Sequence, residues 1–197
     1  MSTQGEVTRK KIIDTVIELL KVKGYNGVGL QEIINESGTP KGSLYFHFPG
    51  GKKEIVETAI KQHGENIDKY FQMVFLGTED LSIAFKKVIK FWINELESSN
   101  FTKGCPIANT TVDLPSIANT TQEICASCFY RMKDVMAERL RRNGMNPAEA
   151  EKQATFVLSS LVGAVIMSKA YRNTEPLTML TERMPRFLEQ SSKKKQK

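Results

Sequence analysis

Cysteine, histidine and tryptophan are scarce in this chain of 197 residues, with three, two and one copies. Three cysteines are an odd number, and the opening MSTQGEVTRKK carries no apolar signal core. The expectation is therefore reduced thiols and a cytoplasmic location, not a disulfide framework. Structural zinc needs four ligands, and His47, His63 and the Cys125-x-x-Cys128 pair fall in separate segments that supply no credible set. No metal or other cofactor is expected. A Gly-rich phosphate loop and a nucleophile elbow are also missing, so the sequence does not read as an enzyme. The longest nearly uncharged apolar run, 154–168, falls short of the roughly 20 residues that span a bilayer. It reads as a buried helix, and no membrane partner is expected. Strand-like alternation is absent throughout. The fold class is all-α.

Charge is plentiful and basic. The formal net charge is +6 and the isoelectric point about 9.2, which suits an anionic partner without proving one. Residues 1–53 hold eight Lys and Arg against five acids, and the four lysines of the tail from Lys193 account for much of the global excess. A terminal lysine cluster reads as a solvated end.

Hydrophobic spacing divides the chain into helices. The first is expected from about Thr8 to Lys23, with Ile12, Ile13, Val16, Leu19 and Leu20 inward and Gly24 ending it. A long helix follows Pro49-Gly50-Gly51, from Lys52 to Leu76, with Gly64 as a weak point for a bend. Further helices are expected at Asp80–Ser98, Cys105–Val112, Thr121–Arg142, Pro147–Tyr171 and Pro176–Gln190. The domains expected are 1–60, a three-helix helix-turn-helix head; 61–190, a helical body; and 191–197, a basic disordered tail.

The segment QEIINESGTPKGSLYFHF at 31–48 is the most informative stretch. Leu30, Ile33 and Ile34 share one helical face, and Ser37-Gly38 closes that helix with a residue free to turn left-handed. Thr39 is placed to cap a second helix with Pro40 at its first position. Leu44 and Phe48 then face inward. Lys41, Gly42, Ser43, Tyr45 and His47 point elsewhere. A cation, a bare backbone, two hydroxyls and an imidazole suit phosphates and base edges. The first-turn N–H groups of Gly29, Leu30 and Gln31 are positioned to meet a phosphate, and Thr8 could do the same for the first helix. Phe46 either touches a thymine methyl or packs inward.

The block from Thr8 to Ile60 resembles the N-terminal domain of the tetracycline-repressor (TetR) family of bacterial transcription regulators. The resemblance rests on G-Y-N-G-V-x-L-Q-E-I at Gly24–Ile33, then SGTPKGSLYFHF, then KKEI at Lys52–Ile55. Pro49-Gly50-Gly51 is one residue longer than the usual family connection. The resemblance extends to a bacillary branch of antibiotic- and flavonoid-responsive repressors. It implies DNA contact by Lys41, Gly42, Ser43, Tyr45 and His47, and phosphate clamping by Lys52.

In the body, Phe71, Phe75, Trp92, Cys105, Phe129 and Met132 are candidates for a pocket that takes a planar, apolar small molecule. Asn109, Thr110 and Thr111 could supply its polar contacts. Gly104-Cys105-Pro106 resembles the start of the sensor segment in the branch named above. The helix 147–171 has more apolar surface than one face needs, and Leu158, Leu161, Gly163 and Val165 are candidates for a homodimer interface. The reading is a homodimeric repressor on a palindromic double-stranded operator, released by a small-molecule effector. The alternative is a thiol-based redox regulator with Cys125 and Cys128 as sensor. Their neighbours are expected to be mainly apolar or neutral, which disfavours it.

Overall fold

A computed structural model describes residues 4–113 and 119–193, with side chains described for 4–113 and 120–184. Among these residues the chain is α-helical without strands. The helices are α1 (Gln4–Lys23), α2 (Leu30–Ser37), α3 (Lys41–His47), α4 (Gly51–Gly77), α5 (Leu81–Ser98), α6 (Pro106–Thr111), α7 (Asn119–Arg142), α8 (Pro147–Tyr171) and α9 (Glu175–Lys193). They form two compact units, residues 1–65 with 105–127, and residues 66–104 with 128–197. The terminal lysines beyond 193 lie outside the described residues.

In the first unit α1 packs on α2, α3 and α6. Its buried stripe is Ile12, Ile13, Val16, Ile17 and Leu20; Ile17 takes the inward place expected of Leu19. Gly24, at φ +66, ends α1 and is the left-handed position that a side chain would strain. Ile33, Leu44, Phe48, Ile55, Val56, Ala59 and Ile60 complete the core. Each of these side chains other than the Ala59 methyl contributes roughly 1.5–3 kcal/mol on burial. The helix α4 runs unbroken through Gly64, where a bend was expected.

The second unit is built on α5, α8 and α9, which pack mutually. Asp80 caps α5 by accepting from the Ile83 N–H at 3.1 Å, and Asn146 caps α8 by accepting from the Ala148 N–H at 3.0 Å. Rings stack along the core: Phe71 on Phe75 at 5.6 Å, Phe75 on Phe85 at 5.1 Å, Tyr70 on Phe91 at 5.1 Å and Phe91 on Trp92 at 5.4 Å. An ion network ties α7 to α8: Lys133 and Arg141 meet Glu151 at 2.6 and 2.9 Å, while Arg141 and Arg142 meet Glu138 at 3.2 and 3.0 Å. These carboxylates sit below their usual pKa range because the cations hydrogen-bond to them. By length and composition alone α8 could cross a membrane, yet one face of it is packed inside this unit.

Candidate nucleic-acid interface

The turn between α2 and α3 is set by backbone hydrogen bonds. Gly38 adopts φ 58 and ψ 28, its N–H donates to the Asn35 carbonyl at 3.2 Å, and the Thr39 N–H donates to the Ile34 carbonyl at 3.3 Å. That pair is a Schellman turn, which closes one helix and redirects the chain into the next. Pro40, with φ −57 and ψ 143, then starts α3 from an extended conformation. Thr39 does not cap α3, contrary to expectation. It is buried one residue before the cap, and its hydroxyl donates to the Ser37 carbonyl at 3.5 Å. Proline supplies the fixed φ there, so no side-chain cap is used.

Leu44 and Phe48 are fully buried and seat α3 on the unit. The other face is open. Lys41 and Gly42 are exposed, nothing lies within 4 Å of a Cβ added at Gly42, and Ser43 and His47 are half-buried. Tyr45 is 41 % exposed and Phe46 81 %. Phe46 is therefore an outward aromatic, edge-on to His47 at 5.1 Å, and not part of the core. Burial settles the choice that spacing alone left open.

At the start of α2, Gly29 is exposed and extended, with no side-chain cap. The first-turn N–H groups of Leu30 and Gln31 are thus left without a capping side chain. Thr8 stands differently from expectation. The helix α1 begins at Gln4, which places Thr8 in its second turn, and the Thr8 hydroxyl donates to the Gln4 carbonyl at 3.0 Å. Lys52 opens α4 with its ammonium 4.4 Å from the centre of the Tyr25 ring. Partial burial lowers its pKa, opposed by the charge of Asp113.

The segment expected to offer polar contacts to a ligand instead braces α1. The Asn109 amide donates to the carbonyls of Leu20 and Lys21 at 3.1 and 2.8 Å, in the last turn of α1, where the Leu20 carbonyl also accepts from the Gly24 N–H at 3.2 Å. The Asp113 carboxylate accepts from the Asn26 N–H at 2.8 Å. Thr111 is turned onto the Ile107 carbonyl, and Thr110 is buried. No sequence period signals this brace, because its partners lie nearly ninety positions apart.

Of the candidate pocket residues, Phe71, Phe75 and Met132 are buried and Trp92 and Phe129 half-buried in the second unit, whereas Cys105 stands at the N-cap position of α6 in the first, with no side-chain capping bond. The dimer candidates need correction. Leu158, Leu161 and Val165 are buried within their own unit. The apolar side chains that α8 turns outward are Phe156, Ile166, Met167 and Tyr171. Gly163, which has nothing within 4 Å of an added Cβ, lies among Phe156 and Met167 on that face. Apolar spacing could not decide which part of an apolar helix packs inside. Cys105, Cys125 and Cys128 are buried and form no disulfide among the described residues. The Arg131 guanidinium donates to the Cys128 sulfur at 3.5 Å, so that neighbour is not neutral as expected.

A buried seat for α3, an outward polar and aromatic face and a Schellman turn form a helix-turn-helix, the unit with which one class of DNA-binding proteins places a helix in the major groove. Residues 12–59 match the family of bacterial regulatory proteins of the tetR family, and residues 82–183 match the C-terminal domain of LmrA/YxaF-like transcriptional regulators. The chain belongs to the TetR family of transcriptional regulators. It is 29 % identical to the uncharacterized HTH-type transcriptional regulator YxaF of Bacillus subtilis over 94 % of this chain and 96 % of that one. It is 28 % identical to the HTH-type transcriptional regulator LmrA of the same organism, over 92 % and 96 %. Among solved structures, a cysteine mutant of the TetR-family regulator CifR, complexed with 26-bp double-strand operator DNA, superposes with a TM-score of 0.74 at 20 % identity. That match covers 90 % of this chain and 95 % of the other. The relatives are named as regulators, not as enzymes.

Proposed function

We propose that this regulator is a homodimeric repressor that sits on a palindromic operator through α3 and leaves it when a planar, largely apolar effector binds the body. The observation that carries the DNA contact is the outer face of α3, with Lys41, Gly42, Tyr45 and Phe46 exposed over fully buried Leu44 and Phe48. Lys41 meets a guanine edge or phosphate, Gly42 admits close backbone approach, and Phe46 suits a thymine methyl. Ser43, Tyr45 and His47 donate to phosphates, joined by Lys52 and by the N–H groups at the start of α2. The functional partition runs as a reading head over 1–60 and a sensing and pairing body over 61–190, in a cytoplasmic protein.

Pairing through α8 and α9 is supported by the outward strip of Phe156, Gly163 and Met167, which mixes apolar side chains with a residue that lets helices approach closely. Two heads would then address half-sites roughly 34–36 Å apart. The pocket is assigned to the second unit, near Phe71, Phe75, Trp92, Phe129 and Met132. Release is assigned to the brace that Asn109 and Asp113 make on the end of α1, since α6 follows α5 directly in the chain. An effector that prefers the arrangement without DNA must by linkage be weakened equally by DNA.

The test is a mobility shift with the DNA upstream of the protein's own gene, combined with titration of planar aromatic compounds followed by Trp92 fluorescence. Specific retardation that an effector reverses is the expected result. Failure to retard that DNA specifically would remove the repressor reading. An effector that binds equally with and without operator would remove the release mechanism alone.

A further inference from the structure

Between residues 1 and 53 there are eight cations, and six have partners within the chain. Lys10 pairs with Asp14, Lys21 with Glu18, Lys23 with Glu32 and Lys53 with Glu57. Arg9 lies over the Phe48 ring at 5.0 Å, and Lys52 over Tyr25. Lys11 and Lys41 make no ion pair or ring contact among the described residues. Lys41 opens α3 and already belongs to the reading face. Lys11 is exposed on α1, well outside the helix-turn-helix in sequence. Its ammonium nevertheless leans over the turn, 3.4 Å from where a Cβ on Gly38 would stand.

We infer that Lys11 is a further phosphate-binding residue of the DNA interface, reaching across the α2–α3 turn to the backbone that flanks the groove entered by α3. The inference rests on the DNA-binding reading and adds a contact to it. Gly38 and Lys41 are three residues apart, so their Cα atoms are separated by no more than about 11 Å. That is less than the width of a major groove, about 12 Å, whose rims are phosphates. The Lys11 ammonium and the first residue of α3 therefore fall within one patch. A lysine already neutralised by a carboxylate displaces few counterions when DNA binds, whereas an unpaired one displaces nearly a full ion. Lys11 has that free charge, and Gly38, lacking a side chain, leaves the approach open.

The experiment measures binding against salt concentration for the duplex upstream of the protein's own gene and for a mixed-sequence duplex of equal length. Lys11→Ala is expected to weaken both by the same factor and to reduce the slope of log affinity against log salt by about 1. Lys11→Arg should keep the wild-type slope. The charge-neutral double variant Lys10→Ala/Asp14→Ala, which removes the ion pair flanking Lys11 on α1, should keep it too. A wild-type slope in Lys11→Ala overturns the inference, with or without a lower melting temperature, because Lys11 would then at most brace the turn. Loss confined to the upstream duplex also overturns it, since that pattern belongs to a base contact. Wild-type protein that binds neither duplex would instead overturn the DNA-binding reading, and this contact with it.

Discussion

Both units have an apolar core, and they differ in what is added to it. In the first, a few directional bonds join distant parts of the chain: Asn109 on the end of α1, Asp113 on Asn26, and the Thr120 and Thr121 hydroxyls donating to Glu57 at 2.7 and 2.8 Å. In the second, a ladder of rings and the broad apolar faces of α5, α8 and α9 do most of the packing. Directional bonds fix an orientation and can be lost one at a time, each with a net worth of about 0.5–1.5 kcal/mol. Apolar area is spread over many contacts and is non-directional. The first arrangement suits a surface that must be aimed and then re-aimed, the second a platform that must not come apart. Single polar changes should therefore alter function in the first unit, while the second should be disturbed mainly by charge placed on an outer apolar face.

The largest effect is expected from Gly163→Glu. Beyond its own helix backbone and chain neighbours, nothing among the described residues lies within 4 Å of a Cβ added there, so the monomer fold should accept the change. Burying two carboxylates across a helix pair without partners should not be tolerated. Sedimentation should report monomers, and operator binding should fall below detection. A variant that remains dimeric would remove α8 from the interface.

Next in size is a stability effect confined to the first unit. His63 is largely buried and its Nε2 has no partner among the described residues. Burial first, then the nearby charge of Lys21, lowers its pKa from 6.5 to about 4, against a smaller opposing influence of Glu18. The unfolded chain thus binds a proton between about pH 6.5 and 4 that the folded chain refuses. Stability is full above pH 6.5 and declines as pH falls toward 4, by on the order of 3 kcal/mol. His63→Phe should flatten the fall in melting temperature over that window, apart from what carboxylates contribute. An unchanged pH profile in the variant would show that His63 is hydrated and titrates normally.

Smaller again are the contacts of α3. Lys41→Ala and Tyr45→Phe should each weaken operator binding by about 1–3 kcal/mol, with the melting temperature unchanged. Specific binding that survives both together would mean that another surface reads DNA.

Much of the first unit was legible in the sequence because its signals are local. Gly24 and Gly38 need positive φ, Leu44 and Phe48 recur at helical spacing, and Pro40 fixes a start. Spacing gave the helix boundaries of the body to within a few residues for the same reason. It failed where the answer depends on what lies opposite. Leu158, Leu161 and Val165 carry the same apolar character as Ile166 and Met167, and only packing separates the buried set from the exposed one. Asn109 looked like a ligand contact because a polar side chain among apolar ones needs a partner, and the partner proved to be a helix end far away in sequence. Phe46 was undecided for the converse reason, since an outward aromatic breaks the usual pattern and does so at a surface proposed to meet DNA.

The smallest effect is expected from the cysteine pair, and it sharpens the comparison from the other side. Cys125 and Cys128 are 1 % and 2 % exposed, and they serve as small apolar packing groups in the first and second units respectively. The guanidinium beside Cys128 favours reactivity. Access opposes it, since a peroxide or disulfide reagent must reach the sulfur before any thiolate can attack. Alanine is the proper substitute, because serine would bury a hydroxyl in place of a weakly polar sulfur. Cys125→Ala/Cys128→Ala should lose about 1–2 kcal/mol of stability through the removed volume. Its operator affinity should stay within about twofold of wild type, equivalent to less than 0.5 kcal/mol, and its release by effector should be unaltered. Mild oxidant should leave both proteins on DNA. If oxidant releases the wild type and not the variant, opening of this packed region is part of the switch, and the body is less rigid than its ring ladder implies.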